Sequence, residues 1–354
     1  MTRYICSHAL KHGCDQNKKH SSVSNAMLKL MQIILFFMLS VVSVSAESIN
    51  GVGLKKLNVN DPIDNNSMEA VVFFPSTKHS TVTPIGPYQI AASKSLPIVN
   101  DTYPLILISH GNMGSMWGHH DFATSLAQQG YIVATVTHPG GNFQDSSRIG
   151  AISSLYGRPM QISAVLTATL KDPVVGNHID KDRIGFIGFS AGGTTGLILA
   201  GGKPTLTRLL DYCANRPNDF HVCESKGDIR IDIPELVPSA DPRIRAFVLL
   251  APLSVIFAPK ELNLIKSPLL IFVGDEDKEL SPESNAVALA KTTHSVLQVI
   301  SNAGHFIFLS PCSLDMRRTM PNLCVDPKGS DRVMTHKRVL SDIIVFFKKT
   351  LDVN

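Results

Sequence analysis

The sequence predicts an α/β architecture, with a mostly parallel central sheet and helices on both faces. Short runs of Val, Ile, Leu and Phe recur along the chain, most of them stopped by Gly, Pro, His or Asp, as buried parallel strands are. Between them lie stretches with apolar residues at helical spacing. A composition of 44% hydrophobic and 18% charged residues over 354 positions suits a folded globular chain and excludes disordered and collagen-like classes.

The expected strands are Ala70–Phe74, Leu105–Ser109, Ile132–Thr137, Ile184–Gly188, Ala246–Leu250, Leu269–Val273 and Ser295–Ile300. Helices fit between them at Asp121–Gln129, Pro159–Leu170, Ala191–Leu199 and Ser284–Lys291. The last, Asp331–Leu351, lines up Val333, Val339, Leu340, Ile343, Ile344 and Phe347 on one stripe. Residues 201–241 break the alternation; rich in Pro, Asp and Asn, they read as a small irregular insertion, a lid over a pocket.

Residues 1–46 read as a leader with a signal peptide: Lys29, an apolar run Leu30–Leu39, then a small-residue end at Val44-Ser45-Ala46 with cleavage before Glu47. Met27 offers an alternative start. The run is short for a membrane span, which needs roughly 20 residues. Export, periplasmic or secreted, is therefore expected, with residues 47–354 as the folded domain. The formal net charge of +4 resides in this leader, and without it 28 basic and 28 acidic residues remain. That balance removes the electrostatic case for a nucleic-acid partner and leaves membrane contact to the leader or the substrate. In an oxidising compartment Cys213, Cys223, Cys312 and Cys324 should form two disulfides. Three connectivities exist, of which the local pairs 213–223 and 312–324 are expected. The tight spacing of a structural zinc site is lacking.

Gly188-Phe189-Ser190-Ala191-Gly192 is a G-x-S-x-G pattern directly after a strand and before a helix. A sharp turn there lifts the Ser190 hydroxyl clear of the sheet, and only small neighbours at Gly188 and Gly192 let the chain pass itself. A serine nucleophile needs a base held by a carboxylate. Downstream, Leu269–Val273 ends in Gly274-Asp275-Glu276-Asp277, at the edge where parallel sheets present functional groups. Asp277 is the expected acid, with Asp275 a turn-capping residue; Asp275 and Glu276 stay open as alternatives. His305, in the loop after the last strand, is the expected base, while His294 and His336 read as structural. The oxyanion needs N–H donors. Ala191 supplies one, and the loop His110-Gly111-Asn112-Met113-Gly114 the second, from Asn112 with Met113 as the other candidate. His110 reads as a support for that loop, and Trp117, His119 and His120 as either pocket-mouth residues or an inward-packed helix start.

Together these segments resemble the α/β-hydrolase superfamily, over roughly Ala70 to the C-terminus. Within it, Val72-Phe73-Phe74-Pro75, His138-Pro139-Gly140, Asp241-Pro242-Arg243-Ile244-Arg245-Ala246 and His305-Phe306-Ile307-Phe308-Leu309 are similar to predicted dienelactone hydrolases and platelet-activating-factor acetylhydrolase-like serine esterases. The resemblance implies the α/β-hydrolase fold and hydrolysis of a small-molecule or lipid ester, with no metal or organic cofactor. Dienelactone hydrolases proper use a cysteine where this chain has Ser190, so the family name says little about substrate. In the acetylhydrolase-like relatives the acid can follow an earlier strand; here that segment, Leu250–Val255, has no carboxylate. Phospholipid deacylation, peptide cleavage and a catalytically silent binding scaffold are the other readings on this frame.

Overall fold

The computed structural model describes residues 47–216, 219–223 and 229–352. The expected leader and its cleavage site lie outside the described residues, as do Cys6 and Cys14. Strands β1 (Gly51–Asn60), β2 (Ser67–Ser76), β5 (Ser93–Lys94), β6 (Tyr103–Ser109), β7 (Ile132–Val136), β8 (Ile179–Phe189), β9 (Ala246–Leu250), β10 (Leu269–Gly274) and β11 (Val296–Ile300) form one sheet. Its order is β11-β10-β9-β8-β6-β7-β2-β1-β5. A small hairpin of β3 (Thr83–Ile85) and β4 (Tyr88–Ile90) stands apart.

From β6 to β11 the pairings are parallel, whereas β2 runs antiparallel to β7 and to β1. The ten-residue β1 is absent from the sequence reading. Its apolar residues at 52, 54, 57 and 59 lose their alternation at Lys55-Lys56, and its register with β2, Gly51 opposite Ser76 to Asn60 opposite Ser67, comes from pairing rather than pattern.

Side-chain alternation sends each strand's residues to two cores. Val72, Phe74, Leu105, Leu107, Phe186, Phe247, Leu249 and Ile271 face one side, against helices α2 (Gly157–Lys171) and α3 (Ala191–Leu199). Phe73, Ile106, Ile108, Ile187, Val248, Leu250 and Phe272 face the other, against α1 (His120–Gln128) and the C-terminal helix Arg332–Leu351. Each such buried side chain contributes roughly 1.5–3 kcal/mol. That helix begins at an Asp331 cap, whose carboxylate accepts from Met334 N–H at 3.0 Å.

Residues 201–241 hold a helix that the sequence reading left as irregular, α4 (Leu206–Asn215). Its Leu209 and Cys213 face inward while Leu210 is exposed, so the periodic stripe is too short to stand out. Disulfides join Cys213 to Cys223 and Cys312 to Cys324, the local pairs. The Ile229–Ile233 stretch pairs with no strand. Arg230 makes a single bridge to Ala151, and the Asp232 carboxylate accepts from the Ser153 N–H and hydroxyl. Among the described residues no helix is long and apolar enough to cross a membrane.

Candidate active site

The turn between β8 and α3 holds Ser190 at φ 54°, ψ −115°, a region L-residues seldom enter. Such strain costs about 1–3 kcal/mol and persists only where the surroundings dictate it. Here they do: Ser190 N–H donates to Leu250 O at 2.9 Å, and Leu253 N–H donates to Ser190 O at 3.2 Å. The flanking glycines are there for space. A Cβ on Gly188 would lie 2.2 Å from Gly192 O, and one on Gly192 would lie 2.1 Å from Ser109 O. At the first position of α3, the Ala191 N–H has no helical acceptor.

Asp277 and His305 meet across the ends of β10 and β11. Nδ1 of His305 lies 2.7 Å from Asp277 Oδ2, with both side chains almost wholly buried. The other oxygen, Oδ1, accepts from the Glu279 and Leu280 N–H groups at 3.0 and 2.9 Å, which locks the carboxylate's orientation. An imidazole donating from Nδ1 leaves Nε2 free to accept a proton. Asp275 and Glu276 are exposed, and Asp275 Oδ1 accepts from the Ala303 N–H at 3.3 Å, a turn-capping contact. The ring of Phe189, one residue before Ser190, sits 4.9 Å from the His305 ring and so joins the histidine to the elbow.

The loop after β6 passes close to the serine. A Cβ on Gly111 would come within 3.1 Å of Ser190 Cβ. Met113, at φ 58°, donates its N–H to Gly141 O at 3.2 Å, so that donor is occupied. Asn112 is exposed, and its Oδ1 accepts from Arg158 Nη1 at 3.3 Å.

Beneath this loop lies a buried polar network that the sequence reading touched only at His110 and His138. His110 Nδ1 donates to Gly111 O at 2.5 Å, and its Nε2 accepts from the His138 N–H at 3.0 Å. His138 Nδ1 donates to Gln161 Oε1 at 2.7 Å, leaving Nε2 to accept from the Ser109 hydroxyl at 2.8 Å. Gln161 Nε2 then donates to Asp61 Oδ1 at 3.0 Å, and Asp61 Oδ2 pairs with Arg148 at 2.7 Å. Burial holds both histidines well below the usual imidazole pKa, and the Arg158 charge adds to the effect. No sequence spacing announces this chain, since its members come from four separate segments.

The His305 loop has its own support. His336 places Nδ1 on the Asp121 carboxylate and Nε2 2.7 Å from Ile307 O, so its ring donates twice. Ser310 Oγ donates to Asp121 Oδ1 at 2.6 Å, and His119 Nδ1 donates to Phe308 O at 3.0 Å. Burial opposes ionisation of Asp121, but His336 and Ser310 outweigh it and hold the carboxyl far below its ordinary value.

His119 and His120 are buried. Trp117 packs edge-on against Phe73, 6.3 Å between ring centroids, and lines a cavity of about 920 Å³ beside β1 with Leu54, Phe74, Ile85 and Leu96. Neither Ser190, Asp277 nor His305 lines that cavity. Among the described residues no group of three or more His, Cys, Asp or Glu is placed to hold a metal ion.

No protein-family model matches the chain. Over 98 residues it is 37% identical to the uncharacterized peptidase YuxL of Bacillus subtilis (strain 168); the match spans 26% of this chain and only 14% of that one. Two solved structures superpose far more widely. A ferulic acid esterase from Streptomyces cinnamoneus, 18% identical, matches with a TM-score of 0.58 over 88% of this chain and 93% of its own. A dienelactone hydrolase-like promiscuous phosphotriesterase from metagenomic libraries, 15% identical, matches with a TM-score of 0.51 over 85% and 99%. With a largely parallel sheet covered by helices on both faces and these two structures aligned along most of its length, the chain has the α/β-hydrolase fold.

Proposed function

We propose that this protein is an exported serine hydrolase that cleaves carboxylic esters through a Ser190–His305–Asp277 triad and an acyl-enzyme. The observation that carries the reading is a buried imidazole–carboxylate pair 2.7 Å apart whose histidine ring lies 4.9 Å from the ring of Phe189, the residue before a strained Ser190 at the strand-to-helix turn. His305 Nε2 takes the hydroxyl proton as Ser190 Oγ attacks the ester carbonyl. Asp277 holds the tautomer and stabilises the imidazolium. The Ala191 and Asn112 N–H groups receive the developing oxyanion; collapse expels the alcohol with the proton from His305. Water activated by His305 then releases the acid. The 201–241 segment serves as a lid in this reading. Export is supported by two disulfides, which persist in oxidising compartments.

A second reading, hydrolysis of lipid acyl esters, is favoured by one observation. Met113 and Phe143 are 51% and 59% exposed, and Phe143 N–H donates to Gly114 O, so two apolar side chains stand beside the oxyanion loop. The test is hydrolysis of aryl esters of increasing acyl length by protein starting at Glu47, with Ser190→Ala as control. A peak at short chains that the variant abolishes supports a small-pocket esterase, and a peak at long chains moves the assignment to lipids. Turnover no greater than the variant's at every length would refute both, and peptide substrates would come next.

A further inference from the structure

Arg158, the second residue of α2, is 3% exposed and has no carboxylate partner among the described residues. Its Nη2 donates to His110 O and its Nη1 to Asn112 Oδ1, while Nε meets no acceptor. The nearby acid cannot supply the missing charge, because Asp61 is already held by Arg148 and Gln161. The adjacent imidazoles of His110 and His138 are neutral, each with one nitrogen accepting. Burial pulls the guanidinium pKa down to about 9, which keeps it protonated at neutral pH. A buried cation without an anion is costly, and folding alone gives no reason to keep one.

We propose that Arg158 is a positioning residue for the oxyanion loop and that its unpaired charge finds its counter-charge in the tetrahedral intermediate. The inference rests on the serine-hydrolase reading above. Both residues that Arg158 grips belong to the loop carrying the Asn112 N–H. The fork on His110 O and Asn112 Oδ1 fixes the direction of that donor, and the positive field favours the state in which negative charge appears on the substrate oxygen. The ground-state ester carries no such charge, so the effect falls on kcat rather than on KM. Since the guanidinium is sealed from solvent, substrate does not touch it.

The test compares wild type with Arg158→Lys, Arg158→Gln and Ser190→Ala on a short-chain aryl ester, with rates normalised to active sites titrated by a fluorophosphonate, or to folded protein for Ser190→Ala, which has no serine to titrate. An aryl trifluoromethyl ketone serves as a second probe. Ser190 Oγ adds to its carbonyl carbon, the π pair moves to oxygen, and the hydroxyl proton passes to His305, giving a stable oxyanion without turnover. The expected result for Arg158→Gln is a loss of kcat of about 10²-fold with KM within about threefold, and a parallel loss of ketone affinity. Arg158→Lys, which keeps the charge and loses the fork, retains more, at about a tenfold loss. Rates for Arg158→Gln within threefold of wild type, a loss confined to KM, or Gln equal to Lys would overturn the proposal. Should Arg158→Gln not fold, Arg158→Lys decides alone: a tenfold loss at unchanged KM supports the role, and wild-type kcat overturns it. Wild type no faster than Ser190→Ala would instead sink the hydrolase reading itself.

Discussion

Replacing Asp277 by Asn tests the candidate triad with the least disturbance to packing. The carboxylate makes three contacts: Oδ1 accepts from two N–H groups at 2.9 and 3.0 Å, and Oδ2 faces His305 Nδ1 at 2.7 Å. An asparagine keeps the first two through its Oδ1 and turns an NH₂ toward the imidazole. Nδ1 must then accept, which moves the ring proton to Nε2, the atom that has to receive the Ser190 proton. Such a tautomer reversal in an otherwise intact triad costs about 10⁴-fold in kcat, or roughly 5 kcal/mol at 1.36 kcal/mol per decade. The fold should survive, because no volume changes and both backbone donors stay paired. The assay is aryl-ester turnover per folded molecule, with thermal unfolding alongside. Asp275→Asn is the internal comparison: exposed, with one 3.3 Å contact to the Ala303 N–H, it should leave kcat within about threefold, as surface changes do. A folded Asp277→Asn protein that keeps a tenth of wild-type kcat, or an Asp275→Asn protein as slow as it, would refute the assignment of the acid.

Three further outcomes follow from the geometry. Gly192→Ala drives a Cβ to 2.1 Å from Ser109 O and should cost about 1–3 kcal/mol together with most of the activity. Gly304→Ala, whose Cβ would meet nothing closer than 3.8 Å at φ −88°, should unfold within about 0.5 kcal/mol of wild type. Equal melting temperatures for the two would contradict the packing argument. Replacing Cys312 and Cys324 by Ser opens a loop of 12-residue separation and should lower stability by about 3 kcal/mol; urea unfolding that shows less than about 1 kcal/mol would reject loop closure as the cause. Burial, partly offset by the Asp121 charge, pulls His119 down to a pKa of about 4, so the folded state holds it neutral while the unfolded chain protonates near 6.5. Its stabilisation is complete above pH 6.5 and is lost as pH falls toward 4, by up to about 3 kcal/mol. Denaturant titrations at pH 7 and 4.5 should show a smaller drop for His119→Gln than for wild type, and an identical drop would exclude His119 as a source.

The strand centres from β6 to β10 were legible because a strand buried on both faces must be apolar throughout, and such runs have few other uses. The candidates Ser190 and Asp277 were legible for a related reason: each follows such a strand, β8 or β10, in the chain order a serine-hydrolase mechanism would need, while His305 follows the partly exposed edge strand β11. The ten residues of β1 were not, since Lys55 and Lys56 sit side by side where alternation would demand one apolar residue. What makes them a strand is β2, a partner whose register no local pattern encodes. Helix α4 escaped for want of an apolar stripe, with only Leu209 and Cys213 turned inward.

Arg158 and Gln161 were illegible for a deeper reason. Gln161 lies within, and Arg158 just before, the stretch Pro159–Leu170 that reads as an ordinary helix, and their partners are remote: Gln161 meets Asp61 across 100 positions, and Arg158 meets His110 across 48. A polar side chain on a helix is normally assigned to solvent, and only the tertiary fold shows that it is buried. The loop beside Ser190 and the loop that carries His305 are each gripped from beneath by such groups. The 110–114 loop rests on Arg158 and the Asp61–Gln161–His138 chain, and the 302–310 loop on His336, Asp121 and His119. These loops cannot be placed by apolar packing alone, because packing is non-directional, whereas donors aimed at an oxyanion and a base aimed at a hydroxyl need fixed angles. Buried hydrogen bonds provide that direction, and their dependence on protonation ties the site's geometry to pH. The same groups should therefore govern both acid stability and activity. Loss of activity on acidification that precedes unfolding, with Asp121→Asn, which lacks the charge that holds His119 up, losing it at a lower pH than wild type, is the outcome this coupling requires. Coincident activity and unfolding curves in both proteins would show that the loops are held by packing instead.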